Sequence, residues 1–487
     1  MTRRLLLAPF ALLATGCLLG PDHERPAVPV PDTWREIQVP EAQTLANTPW
    51  WELFGDSTLV ALIDIALQEN KDLKIAIERV EEARARYGFT KADLWPAVDL
   101  AGAAGAIRAS EASLVHIPEA GEERDTETGI YGASLNVFWE LDFFGRIRRS
   151  SQAQNALFLA TQEARRAAVL TLVSDVARSY IELRDFDLRL EIARRTVASR
   201  REYVQLALDR YQGGVSSELD PRQAEAELHR IEGVALDLER LVGQKENELS
   251  VLLGRNPGPV GRGQAVGDQA LPSEVPAGLP SELLDRRPDI REAEMQLAAL
   301  TANIGAAKAM LFPRISLTGS FGYASTDLET VFEEPSRSWN IIGNLVQPLF
   351  NAGKNRRRVE MTESQQRQAL YAYERTVLQA FRETDDALLG YRIAGEQRRT
   401  AAARVAADRK VLELSEMRYR GGVSDYLEVL DAQRSLFQSE LEESQLIGNH
   451  LVALVQLYKA LGGGWPQAPE EAAAEQPEAE PAPPPQE

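Results

Sequence analysis

The sequence predicts a mainly α-helical protein with a small β part, built from two copies of one long element. Three observations predict it. One block of sequence recurs without gaps about 210 residues later; two proline-free stretches of roughly 65 residues read as single helices; and four short segments alternate apolar with polar or small residues. In each copy the order is helix, two strands, very long helix, tight turn and return helix. The chain has 487 residues, 54 Lys and Arg against 73 Asp and Glu, and a net charge of −19. An acidic balance argues against nucleic acid as a partner, because phosphate binding needs clustered basic residues. A single cysteine excludes an internal disulfide framework and a Cys-based zinc site.

Residues 1–16 (MTRRLLLAPFALLATG) carry Arg3 and Arg4, an apolar run from Leu5 to Ala14, and then small residues. That is the pattern of a signal peptide removed before folding. Cys17 follows immediately. A lone cysteine is often simply buried, but Cys17 precedes the proline-rich stretch Gly20–Pro31, which offers no core. The pattern resembles a bacterial lipobox, which makes Cys17 the expected lipidation site. Acyl chains supply membrane affinity at about 0.8 kcal/mol per buried methylene without a spanning helix. No apolar run after residue 20 approaches the ~20 residues that such a helix needs.

The duplication fixes the first helix. Lys71–Pro96 aligns on Pro288–Pro313, pairing Asp72 with Asp289, Gly88 with Gly305 and Pro96 with Pro313. The stretches Asp64–Asp93 and Ser281–Leu311 are expected to be helical, with Pro96 and Pro313 stopping them. Arg210-Tyr-Gln-Gly-Gly-Val-Ser216 matches Arg418-Tyr-Arg-Gly-Gly-Val-Ser424 at the shorter offset of 208, so the first copy holds nine extra residues between Pro96 and Gly145.

The strands come next. Tyr131 to Trp139, Ile315 to Tyr323 and Trp339 to Leu345 alternate clearly, and Val98 to Ala106 does so more weakly. Segments of ~9–11 residues with one apolar face fit strands that span an outer membrane. Two hairpins half-buried on soluble helices would alternate equally well. Closure separates the two readings. An open sheet edge inside a bilayer leaves backbone groups unpaired, and four strands are too few to close, since known barrels begin at about eight. With a signal sequence and an anchor present, a barrel shared between protomers is the better expectation. Three chains would supply twelve strands, although strand chemistry alone does not choose between two and three.

Ile147–Tyr211 and Asn355–Tyr419 are the long helices, each about 95 Å at 1.5 Å per residue, a length that implies coiled-coil or tubular packing. Gly213-Gly214 and Gly421-Gly422 allow reversals, with Ser217 and Ser424 as candidate N-caps. Return helices run to about Leu253 and Leu461. In the second, Leu427, Leu430, Phe437, Leu441, Leu451, Val455 and Tyr458 keep a 3/4 spacing and form a core seam.

Three further stretches carry a family resemblance: Cys17-Leu-Leu-Gly-Pro-Asp-His-Glu-Arg-Pro26, Pro49-Trp-Trp-Glu-Leu-Phe-Gly-Asp56 and Ala66-Leu-Gln-Glu-Asn-Lys-Asp-Leu73. With the two Arg-Tyr-x-Gly-Gly-Val-Ser turns, the second continuing to Tyr426-Leu-Glu-Val-Leu-Asp-Ala-Gln-Arg434, the chain resembles outer-membrane factor lipoproteins from Cys17 to about Trp465. This is the exit-duct class of tripartite efflux pumps, similar to TolC and closer to its lipidated OprM/NodT-type relatives. The resemblance implies a homotrimer, a trimeric 12-stranded transmembrane β-barrel and a long coiled-coil α-helical barrel across the periplasm. It also implies a periplasmic adaptor (membrane fusion) protein and an inner-membrane RND-type transporter as partners. The expected organisation is a signal peptide (1–16), an anchored and equatorial segment (17–63), a first repeat (64–253), an equatorial linker (254–280), a second repeat (281–465) and a disordered acidic, proline-rich tail (466–487).

By the same resemblance, Tyr211, Gly213, Gly214, Tyr419, Gly421 and Gly422 are adaptor-contact candidates. Glu428 and Asp431 match an acidic periplasmic gate with Leu427 as its apolar neighbour. Asp220 occupies the position of Glu428 in the first copy, where Gln223 replaces Asp431. Threefold symmetry would gather nine carboxylates, which raise one another's pKa and repel. Arg418 and Arg434 are candidate salt-bridge partners. A merely solvated acidic helix face is the plainer alternative.

Enzyme chemistry finds no footing. His23, His116, His229 and His450 are scattered without metal spacing, and no nucleophile elbow or phosphate loop is present. Gly261-Arg-Gly263-Gln-Ala-Val-Gly267 has the wrong spacing for a dinucleotide loop and reads as linker. No cofactor is expected beyond a covalent lipid on Cys17. The rival to a duct is a periplasmic coiled-coil lipoprotein or adaptor without a pore. The acidic loop Arg108–Thr128 and Ser325–Arg337 would face outside the cell.

Overall fold

A computed structural model describes residues 18–35, 54–108, 127–269 and 280–463. The signal segment, Cys17, most of the Pro49–Asp56 motif, most of the loop Arg108–Thr128 and the tail lie outside the described residues. In chain order the elements are α1 (Ser57–Glu69), α2 (Lys71–Ala92), β1 (Ala97–Arg108), β2 (Glu127–Leu141), α3 (Arg146–Gln212), α4 (Leu219–Leu252), the short α5 (Leu283–Arg286), α6 (Pro288–Ala309), β3 (Arg314–Ser325), β4 (Arg337–Val346), α7 (Lys354–Arg420) and α8 (Tyr426–Ala460). Both long helices, α3 and α7, have 67 residues, and both start at the 208 offset.

The first helix of each copy differs from expectation in the same way. Each is split, at Asn70 in the first copy and at Arg287 in the second, which are equivalent positions. Asn70 leaves the helical region (ψ 132°); its Oδ1 accepts from Leu73 N at 2.9 Å and its Nδ2 donates to Leu252 O at 2.9 Å. Arg287 (ψ 120°) is extended because Pro288 follows. The two breaks use different chemistry. An Asx cap makes the first and a proline makes the second.

Contacts divide the chain into two units: Met1–Ala27, Arg79–Gln162 and Glu292–Tyr373 in one, Val28–Glu78, Glu163–Arg291 and Glu374–Glu487 in the other. The first holds a single antiparallel sheet of order β1-β2-β3-β4. Its register lines up the two faces. Leu100, Leu135, Phe321 and Trp339 form one cross-strand row, and Asp99, Asn136, Ser320 and Asn340 form the adjacent row on the opposite face. Asn340 Nδ2 donates to Ser320 Oγ at 2.8 Å within the polar row. Every residue of β1 and of β4 is exposed, and among the described residues neither outer edge is paired. Between the copies β1 and β3 keep the 217 offset to their ends, so the extra residues of the first copy fall after Arg108.

The second unit is helical. Its core gathers Phe54, Leu59 and Ile63 of the N-terminal part with Leu172, Val176 and Tyr180 of α3, Leu249 of α4, and Leu454 and Tyr458 of α8. A polar knot ties the linker to this core. Asp56 caps α1, accepting from Thr58 N at 2.9 Å, and its other oxygen accepts from the Tyr180 hydroxyl at 2.8 Å and from Gln264 N at 3.1 Å. Gly263 N donates to the Tyr180 oxygen at 2.8 Å. Arg262 pairs with Asp187 at 3.0 Å and with Glu246. Gly263 thus serves packing: a Cβ there would overlap the Asp56 carboxylate.

Candidate functional site

The two Gly-Gly turns and the helices leaving them make the candidate site, all of it within the helical unit. α3 and α7 end in one motif. Val215 N donates to Arg210 O at 2.9 Å and Gly214 N to Tyr211 O at 3.0 Å; in the second copy Val423 N donates to Arg418 O at 2.9 Å and Gly422 N to Tyr419 O at 3.0 Å. This is the Schellman pattern, which needs a left-handed residue after the helix. Gly214 (φ 76°) and Gly422 (φ 71°) supply it. Neither expected serine is the N-cap of the return helix: Glu218 and Asp425 hold those positions. Ser217 Oγ instead accepts from Leu219 N at 3.0 Å, one residue out of place.

Around this shared backbone the two copies diverge. Tyr211 is 42% exposed, and Gly213, Gly214, Gly421 and Gly422 are exposed. Tyr419 is 3% exposed. It lies beneath the Arg210 guanidinium (4.6 Å to the ring centroid) and beside Tyr426 (5.7 Å), in a cluster with Tyr203, Ala207, Ala224, Val429 and Leu430. Tyr419 is therefore a core residue of the turn end and not a surface contact, correcting the sequence expectation. Leu427 departs in the opposite sense. At 61% exposed it stands off the seam, whereas Leu430, Phe437, Leu441, Leu451, Val455 and Tyr458 are buried.

The acids occupy distinct settings. Arg418 Nε reaches Glu428 at 3.0 Å, so one expected pair forms within the chain. Asp431 is exposed, and among the described residues no ion pair holds it. For Asp220, partial burial and then the neighbouring Asp425 charge push the carboxyl above its ordinary range, with Arg210 opposing them. Arg434 is not a partner of these acids. It pairs at 2.8 Å with Glu227, a side chain with no exposed surface that Arg230 also holds at 2.6 Å. Arg200, buried nearby, donates to Gln433 O at 3.2 Å, and burial lowers its pKa.

Sequence reading passed over Glu227 and Arg200. The signal for Glu227 was divergence between copies: Ala226 aligns with Arg434 and Glu227 with Ser435, so complementary charges appear at adjacent positions of different copies. Among the described residues no group of three His, Cys, Asp or Glu could hold a metal ion.

The profile of the family described as "Outer membrane efflux protein" matches residues 62–255 and 279–463. The solvent efflux pump outer membrane protein SrpC of Pseudomonas putida is 38% identical over 468 residues, covering 94% of this chain and 97% of that protein. The cation efflux system protein CusC of Escherichia coli K12 is 37% identical over 472 residues, covering 94% and 99%. Among solved structures, the open state of the Neisseria gonorrhoeae MtrE outer membrane channel superposes with a TM-score of 0.83 at 31% identity, covering 93% of this chain and all of that one.

Proposed function

The chain belongs to the outer membrane efflux protein family, and from that membership we propose that it is the outer-membrane exit duct of a tripartite efflux system. It is a channel component, not an enzyme. The single observation that carries the reading is the open sheet. Four antiparallel strands present one apolar and one polar face, and both edges, β1 and β4, have no partner among the described residues. Strand order makes β4 of one protomer antiparallel to β1 of the next, so three chains close a ring of twelve strands with no exposed backbone edge. Apolar residues such as Leu100, Leu135, Phe321 and Trp339 would face lipid, and Asp99, Asn136, Ser320 and Asn340 the aqueous lumen.

In this reading Cys17 carries the lipid. The turn residues Tyr211, Gly213, Gly214, Gly421 and Gly422 meet a periplasmic adaptor that links the duct to an RND-type inner-membrane transporter. Asp220, Leu427, Glu428 and Asp431 form the gate. Asp431, exposed and with no ion pair among the described residues, is the carboxylate left to take the cation or salt bridge that holds the closed state, whereas Arg418 already pairs with Glu428. A pore-free scaffold would have no use for two apolar-faced hairpins joined into one sheet.

Planar-bilayer recording of the purified oligomer tests the reading. The wild type should give small, mostly closed conductance, and Glu428→Ala with Asp431→Ala should raise it several-fold. Equal conductance in the two proteins would remove the gate assignment. Absence of channels from both would remove the duct.

A further inference from the structure

A single side chain grips the peptide that follows Cys17. Arg149, in the first turn of α3 with 4% of its side chain exposed, donates through Nε to Leu19 O at 2.9 Å, through Nη2 to Gly20 O at 3.1 Å and through Nη1 to Asp22 Oδ1 at 2.8 Å. Arg25 continues the attachment by pairing with Glu294 at 3.3 Å. The seat beneath this strap is made of glycine. A Cβ on Gly20 would overlap the Gly305 backbone, one on Gly305 would overlap Leu19 O and the Arg149 side chain, and one on Gly145 would strike Leu18 Cδ1 at 2.6 Å. At Gly20 and Gly305 the approach is backbone to backbone, which excludes any other residue.

The duplication supplies an internal control. Gly88 is the counterpart of Gly305, and a Cβ there would meet nothing within 4 Å. Arg357 is the counterpart of Arg149; its side chain is 80% exposed and pairs with Glu360. The same repeat positions form a seat in one place and open surface in the other, so the seat is not a by-product of the repeat.

Its location gives it a use. Gly145 lies four residues beyond the end of β2, and Phe144 stacks on Phe312 at 4.9 Å just before β3 begins. Leu18, the residue that follows Cys17 in the sequence, lies against Gly145. We propose that Arg149 is a positioning residue for the membrane anchor. Holding Leu19, Gly20 and Asp22, it fixes the acyl chains of residue 17 at the level where β2 ends and β3 starts, so that anchoring and strand insertion act as one step. This inference rests on the lipid and barrel assignments made above.

The test uses full-length protein in outer membranes, with three readouts: palmitate labelling, heat-resistant oligomer on unboiled gels, and endoproteinase Glu-C cleavage after Glu24. Arg149→Ala and Gly305→Val should keep the label, yet lose at least five-fold in oligomer and be cut at least ten-fold faster. Arg149→Lys should recover part of both losses, and Gly88→Val should match wild type. Cys17→Ser should lower the oligomer to a similar extent, and adding Arg149→Ala to it should lower it no further, since the two act in one step. Wild-type cleavage and oligomer in Arg149→Ala or in Gly305→Val would overturn the proposal. So would full oligomer in Cys17→Ser, or a multiplicative loss in the double variant. An unlabelled wild type would instead remove the lipid assignment, leaving Glu-C protection to decide the seat.

Discussion

Arg434 and Glu227 join the two return helices: the guanidinium of α8 meets, at 2.8 Å, a carboxylate of α4 that has no exposed surface. Arg230 binds the same carboxylate from within α4. Both arginines are about half exposed, so deleting the carboxylate leaves them to water and removes charge-assisted hydrogen bonds worth about 1.5–3 kcal/mol. Glu227→Ala is expected to lose about that much in denaturant unfolding of the purified protein, and Arg434→Ala less, because Arg230 remains. Burial works to raise the Glu227 pKa, but the two arginines outweigh it and hold the group below its ordinary value of 4.5. Its stabilising contribution is then present above that ordinary value and is lost as the pH falls through the folded-state value. The acid limb of the stability curve should therefore be shallower in Glu227→Gln than in wild type.

The Schellman turns predict a contrast within a dipeptide. Gly214 and Gly422 have positive φ, where a side chain costs about 1–2 kcal/mol. Gly213 and Gly421 do not, although a Cβ at either would lie 3.2 Å from a helix carbonyl oxygen. Gly214→Ala and Gly422→Ala should each lower unfolding stability by about 1 kcal/mol or more. Gly213→Ala and Gly421→Ala should lower it by less. Equal losses at all four positions would show that crowding, not backbone conformation, selects these glycines.

Much of this architecture was legible because duplication and periodicity are linear signals. The four strands appear where period-2 alternation places them, extended by one to four residues at each end, and the long helices begin and end within one residue of their expected limits. What was not legible depends on which side of a helix faces a neighbour. Tyr211 and Tyr419 are the same residue in the same motif, yet Arg210 covers only the second. Leu427 matches the heptad spacing of Leu430 and Phe437 but stands one position off the buried stripe. Arg434 sits three residues after Asp431, near enough in sequence to suggest a partner, while its guanidinium turns to a carboxylate 207 residues away. Single-chain periodicity does not encode such pairings; only the Ala226/Arg434 and Glu227/Ser435 divergence hinted at one.

Asp220 makes a pH prediction with a defined sign. Its carboxyl is pushed above the ordinary value of 3.8 by partial burial and by Asp425. The folded state therefore binds this proton more tightly than the unfolded chain does, and the unfavourable contribution of the charged form grows as the pH rises through the folded-state value. Asp220→Asn should raise the melting temperature at neutral pH. The gap to wild type should close as the pH falls below the ordinary carboxylate range. A gap that stayed constant with pH would assign the effect to packing instead of charge.

The linker knot offers the sharpest test of how the helical unit holds its own connection. Asp56 simultaneously caps α1, accepts from Tyr180 and accepts from the linker backbone at Gln264, and Gly263 lies against that carboxylate with no room for a Cβ. Gly267, four residues on in the same linker, has nothing within 4 Å of its Cβ position. Gly263→Ala must displace either the carboxylate or the linker, leaving a buried acceptor short of donors at a cost of about 1–3 kcal/mol. Gly267→Ala should be close to neutral. Tyr180→Phe removes one donor to Asp56 and the acceptor of Gly263 N, so its loss should overlap that of Gly263→Ala, with the double variant falling short of the sum. Urea unfolding of the three variants measures this directly, and strict additivity would mean that Asp56 and Tyr180 hold the linker independently.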